Sequence, residues 1–170
     1  MKILVYGSKG WIGRQFIEIM KKADLQESVD FMFGTSRVNN IDDLNKEIEN
    51  VAPTHIISFI GRTHGTIGDK KYTTIDYLEQ KGKINDNVRD NLFSPISLAL
   101  ICKEKKIHYT YSGTGCIFKF DDDHLVGDEN TGFTEEDVPN FFGSSYSIVK
   151  GYTDELMHLL DDTVLNLRIR

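Results

Sequence analysis

A short apolar strand that runs without a break into three glycines constrains this chain more than any other feature. Ile3-Leu4-Val5-Tyr6 leads straight into Gly7-Ser8-Lys9-Gly10-Trp11-Ile12-Gly13, a Gly-x-x-Gly-x-x-Gly spacing. Ile12, Phe16, Ile19 and Met20 then recur at close to helical period. Strand, glycine turn and helix in this order open a parallel βαβ unit. One glycine permits the tight turn, one lets the backbone approach a pyrophosphate, and one lets the helix pack closely on the strand. The helix N-terminus adds free N–H groups and the positive end of its dipole. Gly7, Ser8, Gly10, Trp11, Ile12 and Gly13 are therefore expected to bind a dinucleotide. The bland alternative is three turn glycines without a ligand.

The rest of the chain repeats the alternation. Strands are predicted at Val29–Phe33, His55–Phe59, Ile107–Tyr111 and Val164–Ile169, all short and rich in Ile, Val, Phe and Tyr. Helices are predicted at Trp11–Lys22, Ile41–Asn50, Asn85–Lys106 and Ser144–Leu160, with Pro95 kinking the long third helix or starting a new turn in it. The fold class is thus α/β, a Rossmann-type doubly wound parallel sheet with helices on both faces, forming one domain over 1–170. The stretch Ser112–Gly143 reads as one long irregular loop, and loops of that length are usually functional. Its Asp121-Asp122-Asp123 run reads as a solvated turn.

Composition excludes several functions. Twenty Lys+Arg against 26 Asp+Glu give a net charge of -6, which disfavours nucleic-acid or anionic-membrane binding. No apolar run, Ile56–Ile60 included, approaches the length needed to span a bilayer. Two cysteines make no disulfide scaffold, so a cytoplasmic setting is expected. The five histidines show no metal-ligand spacing with each other or with the cysteines, so no metal is expected. Lys103, Lys105 and Lys106 close a helix and complement its dipole rather than forming a nucleic-acid patch.

Two further patterns carry chemistry. An NAD site usually places an acid at the end of the second strand, but here that strand ends Phe33-Gly34-Thr35-Ser36-Arg37. Ser36 and Arg37 suit a 2′-phosphate, so NADP(H) is favoured and NAD(H) is left open. Tyr146 and Lys150 stand four apart at the start of a helix and share one face. The ammonium is expected to lower the tyrosine pKa and reach a ribose hydroxyl. Thr114 lies just past the fourth strand, where such folds bind ligands. Tyr77 and Lys81 repeat the spacing without that context and read as a decoy.

Glycine loop, hydroxyl residue and Tyr-x-x-x-Lys in this order resemble the extended short-chain dehydrogenase/reductases. Gly10–Gly13, Thr114-Gly115-Cys116-Ile117-Phe118 and Glu135-Glu136-Asp137-Val138-Pro139-Asn140-Phe141 narrow the likeness. Together they resemble the bifunctional nucleotide-4-keto-6-deoxyglucose 3,5-epimerase/4-reductases of rhamnose synthesis and their dTDP-4-dehydrorhamnose reductase relatives. The resemblance implies hydride delivery from NADPH to C4 of a UDP- or dTDP-4-keto-6-deoxyglucose or its epimer. Tyr146 would protonate the oxygen, Thr114 would hydrogen-bond it, and Lys150 would orient the ribose. Cys116 takes the slot of an acid/base residue that inverts C3 and C5; read from its residue type alone, it is a small buried hydrophobe at a strand end. Cys102 reads as core. The resemblance also places Phe59, Ile60 and Gly61 along the cofactor, with Phe59 and Ile60 where alanines are common. It sets Thr63 near cofactor or sugar, gives Asn91 a supporting role on the long helix, and brings Asn140 and Phe141 to the sugar nucleotide. A homodimer is compatible with it.

The chain stops at Leu165-Asn166-Leu167-Arg168-Ile169-Arg170, whereas family members continue into a substrate-binding segment that carries a second epimerisation residue, a lysine. The expectation is a piece of a longer chain that holds the cofactor but turns over weakly or not at all. Two other readings stand beside the bifunctional one: a 4-reductase without epimerase activity, and a non-catalytic NADP-binding module.

Overall fold

The computed structural model describes residues 1–23 and 29–169, so Arg170 lies outside the described residues. In chain order the elements are β1 (Lys2–Tyr6), α1 (Trp11–Lys22), β2 (Asp30–Phe33), α2 (Ile41–Val51), β3 (His55–Ser58), β4 (Gly65–Ile67), β5 (Lys70–Tyr72), α3 (Ile84–Val88), α4 (Ser94–Lys105), β6 (His108–Thr114), α5 (Ser145–His158) and β7 (Val164–Ile169). Five strands form one parallel sheet in the order β2-β1-β3-β6-β7. The chain winds from β1 out to β2, returns past β1 to β3, and continues the other way. The winding reverses between β1 and β3, whose C-terminal ends carry Gly7 and Phe59-Ile60-Gly61. A doubly wound sheet binds its ligand at that crevice.

The core lies where apolar strand residues meet apolar helix stripes. Leu4, Tyr6, Ile56, Tyr109 and Tyr111 pack with Leu44 and Ile48 of α2, Leu98, Ala99 and Cys102 of α4, and Met157 of α5. Each buried aliphatic side chain of this kind contributes about 1.5–3 kcal/mol. Asn40 caps α2 by accepting the Asp43 N–H, and Asp42 and Asp43 complement its N-terminal dipole. The covering is complete only at the sheet centre. β2 is mostly exposed, and Leu165, Leu167 and Ile169 of β7 leave one face open.

Two expectations need correction, and one segment had none. The predicted helix 85–106 is two helices, α3 and α4, joined by a π-helical turn at Arg89–Phe93. Pro95 causes this: its ring would clash with the carbonyl four residues back, that of Asn91. The widened turn frees that carbonyl, which accepts the Thr153 hydroxyl of α5 at 2.7 Å. The irregular stretch begins later than expected, because β6 pairs with β7 as far as Thr114–Ile169. The segment after β3, which gave no periodic signal, folds as the hairpin β4–β5 and a 3₁₀ turn at Ile75–Tyr77. Tyr77 and Leu78 there form a second small core with Tyr146. The Tyr77–Lys81 spacing is therefore not helical, and Tyr77 is a packing residue whose hydroxyl donates to Asp86 at 2.7 Å.

Candidate active site

α5 begins at the C-terminal end of β6 and carries both Tyr146 and Lys150. Ser144 caps it, accepting the Ser147 N–H at 3.0 Å. Glu79, from the segment after the hairpin, reinforces that end. Its carboxylate accepts the Ser145 hydroxyl at 2.8 Å and the Ser145 and Tyr146 N–H groups at 3.1 and 3.3 Å. A carboxylate at a helix N-terminus complements the dipole. Tyr146 is thus held by its backbone from one side and by the Tyr77–Leu78 cluster against its ring. Nothing in the sequence marked Glu79, because its partners are 66 and 67 residues away.

The electrostatics differ from the expectation. Burial pushes the Tyr146 hydroxyl up, the Thr114 side chain offsets part of this by hydrogen bonding, and Cys116 adds to the rise. Lys150 does not figure among those influences. Its own pKa is pushed down by burial to about 8, with Asp154 and Cys116 opposing the fall. Its ammonium donates to the Tyr111 hydroxyl and lies 4.6 Å from the centre of that ring. Lys150 therefore answers to Tyr111 in this structure, not to Tyr146.

Thr114 ends β6, and its hydroxyl accepts the Cys116 N–H at 3.2 Å, which starts a 3₁₀ turn over Gly115–Ile117. Ser147 of α5 donates to the Cys116 carbonyl at 3.1 Å and ties that turn to the tyrosine's helix. Cys116 is exposed, so it is not the buried hydrophobe that its residue type suggested. Cys102 is buried as expected, and burial pushes its thiol up to about 12.

On the other side of the crevice, Gly7 has a φ of +75°, and a Cβ there would stand 2.8 Å from the Phe59 carbonyl carbon. A Cβ on Gly13 would stand 2.4 Å from the Gly7 carbonyl oxygen. Only glycine lets this loop fold so tightly onto β3 and α1. Gly10 is the N-cap of α1 and offers no side chain to its first turn, while Trp11 is largely exposed at its start. The turn after β2 is also held by a residue that the sequence did not reveal. Glu47 of α2 accepts the Thr35 N–H at 2.7 Å, the Ser36 N–H at 3.2 Å and the Tyr6 hydroxyl at 2.8 Å. Ser36 is half-buried and Arg37 exposed beside it. Arg37 and Ser36 line one cleft with Phe59, Ile60, Gly61 and Arg62.

The remaining positions divide. Asn91 is 1% exposed, so it is no surface residue. It brackets the Arg62 backbone, accepting its N–H at 2.8 Å and donating to its carbonyl at 2.9 Å, just past Gly61. The Phe59 ring centre lies 5.2 Å from that of Phe16 of α1, the two rings tilted by 48°. Thr63 is exposed. The Asn140 side chain accepts the Lys119 N–H at 2.8 Å and donates to the Lys119 carbonyl at 3.0 Å and to Asp121 at 2.7 Å. It fastens the loop to itself. Phe141, half-buried, donates its N–H to the Ile117 carbonyl at 3.0 Å.

No profile of a known protein family matches the chain. Individual relatives do. A protein of Acanthamoeba polyphaga mimivirus is 51% identical over all 170 residues, which span 55% of its length. A bifunctional dTDP-4-dehydrorhamnose 3,5-epimerase/dTDP-4-dehydrorhamnose reductase of Arabidopsis thaliana is 33% identical over 98% of this chain and 50% of its own. The chain is related to the rhamnose-forming epimerase/reductases. A trifunctional Arabidopsis UDP-glucose 4,6-dehydratase/3,5-epimerase/UDP-4-keto-L-rhamnose-reductase extends the relation, at 34% identity over 100% of the chain and 23% of the larger protein. The fold follows. The crystal structure of a UDP-rhamnose synthase from the same mimivirus superposes with a TM-score of 0.86 at 50% identity, matching 56% of that chain. The dTDP-4-dehydrorhamnose reductase of Bacillus anthracis, solved with NADP, gives 0.73 at 18% identity over 98% of this chain and 52% of its own, a likeness of fold alone. The chain spans about half the length of the bifunctional and viral relatives.

Proposed function

We propose that this chain carries the cofactor-binding and reducing part of an enzyme that uses NADPH to reduce the C4 ketone of a nucleotide-linked 4-keto-6-deoxyhexose, coupled to 3,5-epimerisation, with nucleotide-L-rhamnose as product. One observation carries the reading: Thr114, Cys116 and Tyr146 converge where β6 ends and α5 begins, with Lys150 one turn further on. A fold alone would not require it.

The glycine loop supports a dinucleotide, since its backbone is bare where a side chain would collide and its helix begins without a side-chain cap. When bound, the nicotinamide would supply a hydride for C4. Gly7–Gly13 hold the pyrophosphate, while Ser36 and the exposed Arg37 guanidinium hold the 2′-phosphate that separates NADP(H) from NAD(H). Tyr146 gives its proton to the C4 oxygen, and Thr114 hydrogen-bonds the same oxygen. Lys150 holds the ribose. The exposed Cys116 thiol moves protons at C3 and C5, which the C4 ketone acidifies; this exposure favours the bifunctional reading over a 4-reductase alone.

Trp11, the single tryptophan, lies inside the glycine loop and reports binding. NADPH is expected to change its fluorescence saturably at much lower concentration than NADH. In a longer protein that carries this chain together with a substrate-binding segment, Tyr146→Phe is expected to keep that binding and slow reduction of UDP-4-keto-6-deoxyglucose roughly a hundredfold in single-turnover assays. Equal rates in both proteins would sink the reductase reading and leave a non-catalytic NADP-binding module.

A further inference from the structure

Tyr111 lies in the middle of β6, where its backbone is paired on both sides, with Ser58 of β3 and Asn166 of β7. It is 1% exposed and packs in the main core, its ring centre 6.5 Å from that of Tyr109 on the same strand face. A core needs only the ring. A buried hydroxyl is a cost there unless it finds a partner. The partner of this hydroxyl is Lys150, whose ammonium donates to it.

Lys150 is itself 5% exposed, so its charge has to be met inside the protein. The titratable groups that bear on it are Tyr111, Cys116 in the turn after β6, and Tyr146 and Asp154 one helical turn to either side on α5. Asp154 is already engaged. Arg168 bonds its two oxygens at 3.0 and 2.7 Å, and Asn166 adds a bond to Oδ1 at 2.7 Å. Among the described residues, the acceptor that the Lys150 ammonium reaches is the Tyr111 hydroxyl. The ring of Tyr111 faces the same charge, its centre 4.6 Å from Nζ, which adds a cation–π attraction. Burial holds the Tyr111 pKa well above the ordinary tyrosine value, so the partner is a neutral phenol and not a counter-ion. An ammonium has three N–H donors. One on Tyr111 leaves two for the hydroxyls of a ribose. The lysine stem is long and flexible, and a contact with a strand residue held on both sides selects one of its positions.

We propose that Tyr111 is a positioning residue for Lys150: its hydroxyl and ring hold the ammonium at one point, with two donors left to grip the cofactor ribose. The proposal rests on the reductase reading for the ribose and deepens it by assigning what holds the lysine. Tyr111 acts through Lys150 rather than on substrate or cofactor.

Two measurements on this chain test it, with circular dichroism to confirm that each variant folds. The first follows the Lys150 side-chain Cε resonance against pH in lysine-labelled protein, assigned by its loss in Lys150→Met. Tyr111→Phe keeps the ring and removes the acceptor, so the Lys150 midpoint is expected to fall by roughly one unit. A Tyr111 that only fills the core would change the melting temperature and leave the midpoint where it was, and that result overturns the proposal. The second is a double-variant cycle read by the Trp11 titration with NADPH. Tyr111→Phe is expected to weaken binding roughly fivefold on its own and to add nothing to Lys150→Met, because its effect runs through the lysine. Equal weakening in both backgrounds, or unchanged or tighter binding in Tyr111→Phe, overturns the proposal. Absence of NADPH binding by the wild-type chain counts instead against the reductase reading, and the Lys150 midpoint then decides alone whether Tyr111 holds the lysine.

Discussion

Tyr146 is positioned mainly by residues remote from it in sequence. Its hydroxyl is 32 residues from Thr114, and its backbone amide is met by a carboxylate 67 residues earlier. Glu79 takes the place of a second N-cap, satisfying donors that the Ser144 side chain does not reach. Its removal has two separable effects. Glu79→Ala is expected to cost about 1 kcal/mol of stability, the usual size of a lost helix cap. It is also expected to lower the reduction rate by more than that loss of folded protein explains, because Tyr146 sits in the first turn of the helix that Glu79 anchors. Urea unfolding and single-turnover reduction, both on a longer protein that carries this chain together with a substrate-binding segment, check the two effects. Glu79→Gln, which keeps an acceptor oxygen, is expected to recover most of the rate; a rate that follows only the folded fraction would make the carboxylate a cap and nothing more.

Among the elements, those with an apolar period were legible and those held by side-chain hydrogen bonds were not. β1, α1, β2, α2, β3 and β7 fall where alternation or helical spacing put them, within a residue or two. The glycine loop and the Tyr146–Lys150 helix were legible because backbone geometry and i,i+4 spacing are local properties. The β4–β5 hairpin was not, since Gly65–Tyr72 has little apolar content and packs through Tyr72, Tyr77 and Leu78 on a single contact cluster. The turn after β2 shows the same limit. The absence of a local acid there was read correctly, yet Glu47 reaches the Thr35 and Ser36 amides from α2. That carboxylate fixes the backbone from which Ser36 and Arg37 project, and hydrogen bonding to those amides and to Tyr6 holds its pKa below the usual range against the opposing effect of burial. Glu47→Ala is accordingly expected to weaken NADPH binding several-fold while NADH binding changes little, measured by the Trp11 titration with each cofactor. Equal weakening of both would show that Glu47 supports the glycine loop through Tyr6 rather than the turn proposed for the 2′-phosphate.

Across the whole molecule the buried titratable groups set opposing pH dependences on the alkaline side. Lys150 has a folded pKa of about 8 against an ordinary value of 10.5. Below pH 8 both folded and unfolded chains hold its proton, and the full cost of burying the charge is present. Between about 8 and 10.5 the unfolded chain holds the proton and the folded chain has released it, so stability rises with pH through this window. Cys102 works the other way: its thiol is held at about 12 against 9.0, so above pH 9 the unfolded chain ionises first and stability falls. Tyr6, Tyr109 and Tyr111 are all pushed up by burial and add the same downward slope above pH 10. The sum is a rise from pH 8 to 9, a plateau from 9 to 10 where one lysine and one cysteine offset each other, and a steep fall beyond. Urea unfolding at half-unit steps from pH 7.5 to 10.5 is expected to trace that profile. Lys150→Met removes the rising limb alone and makes stability flat up to pH 9, after which it declines. The wild type and Lys150→Met running parallel from pH 8 to 9 would mean that Lys150 keeps its ordinary affinity for the proton in the fold.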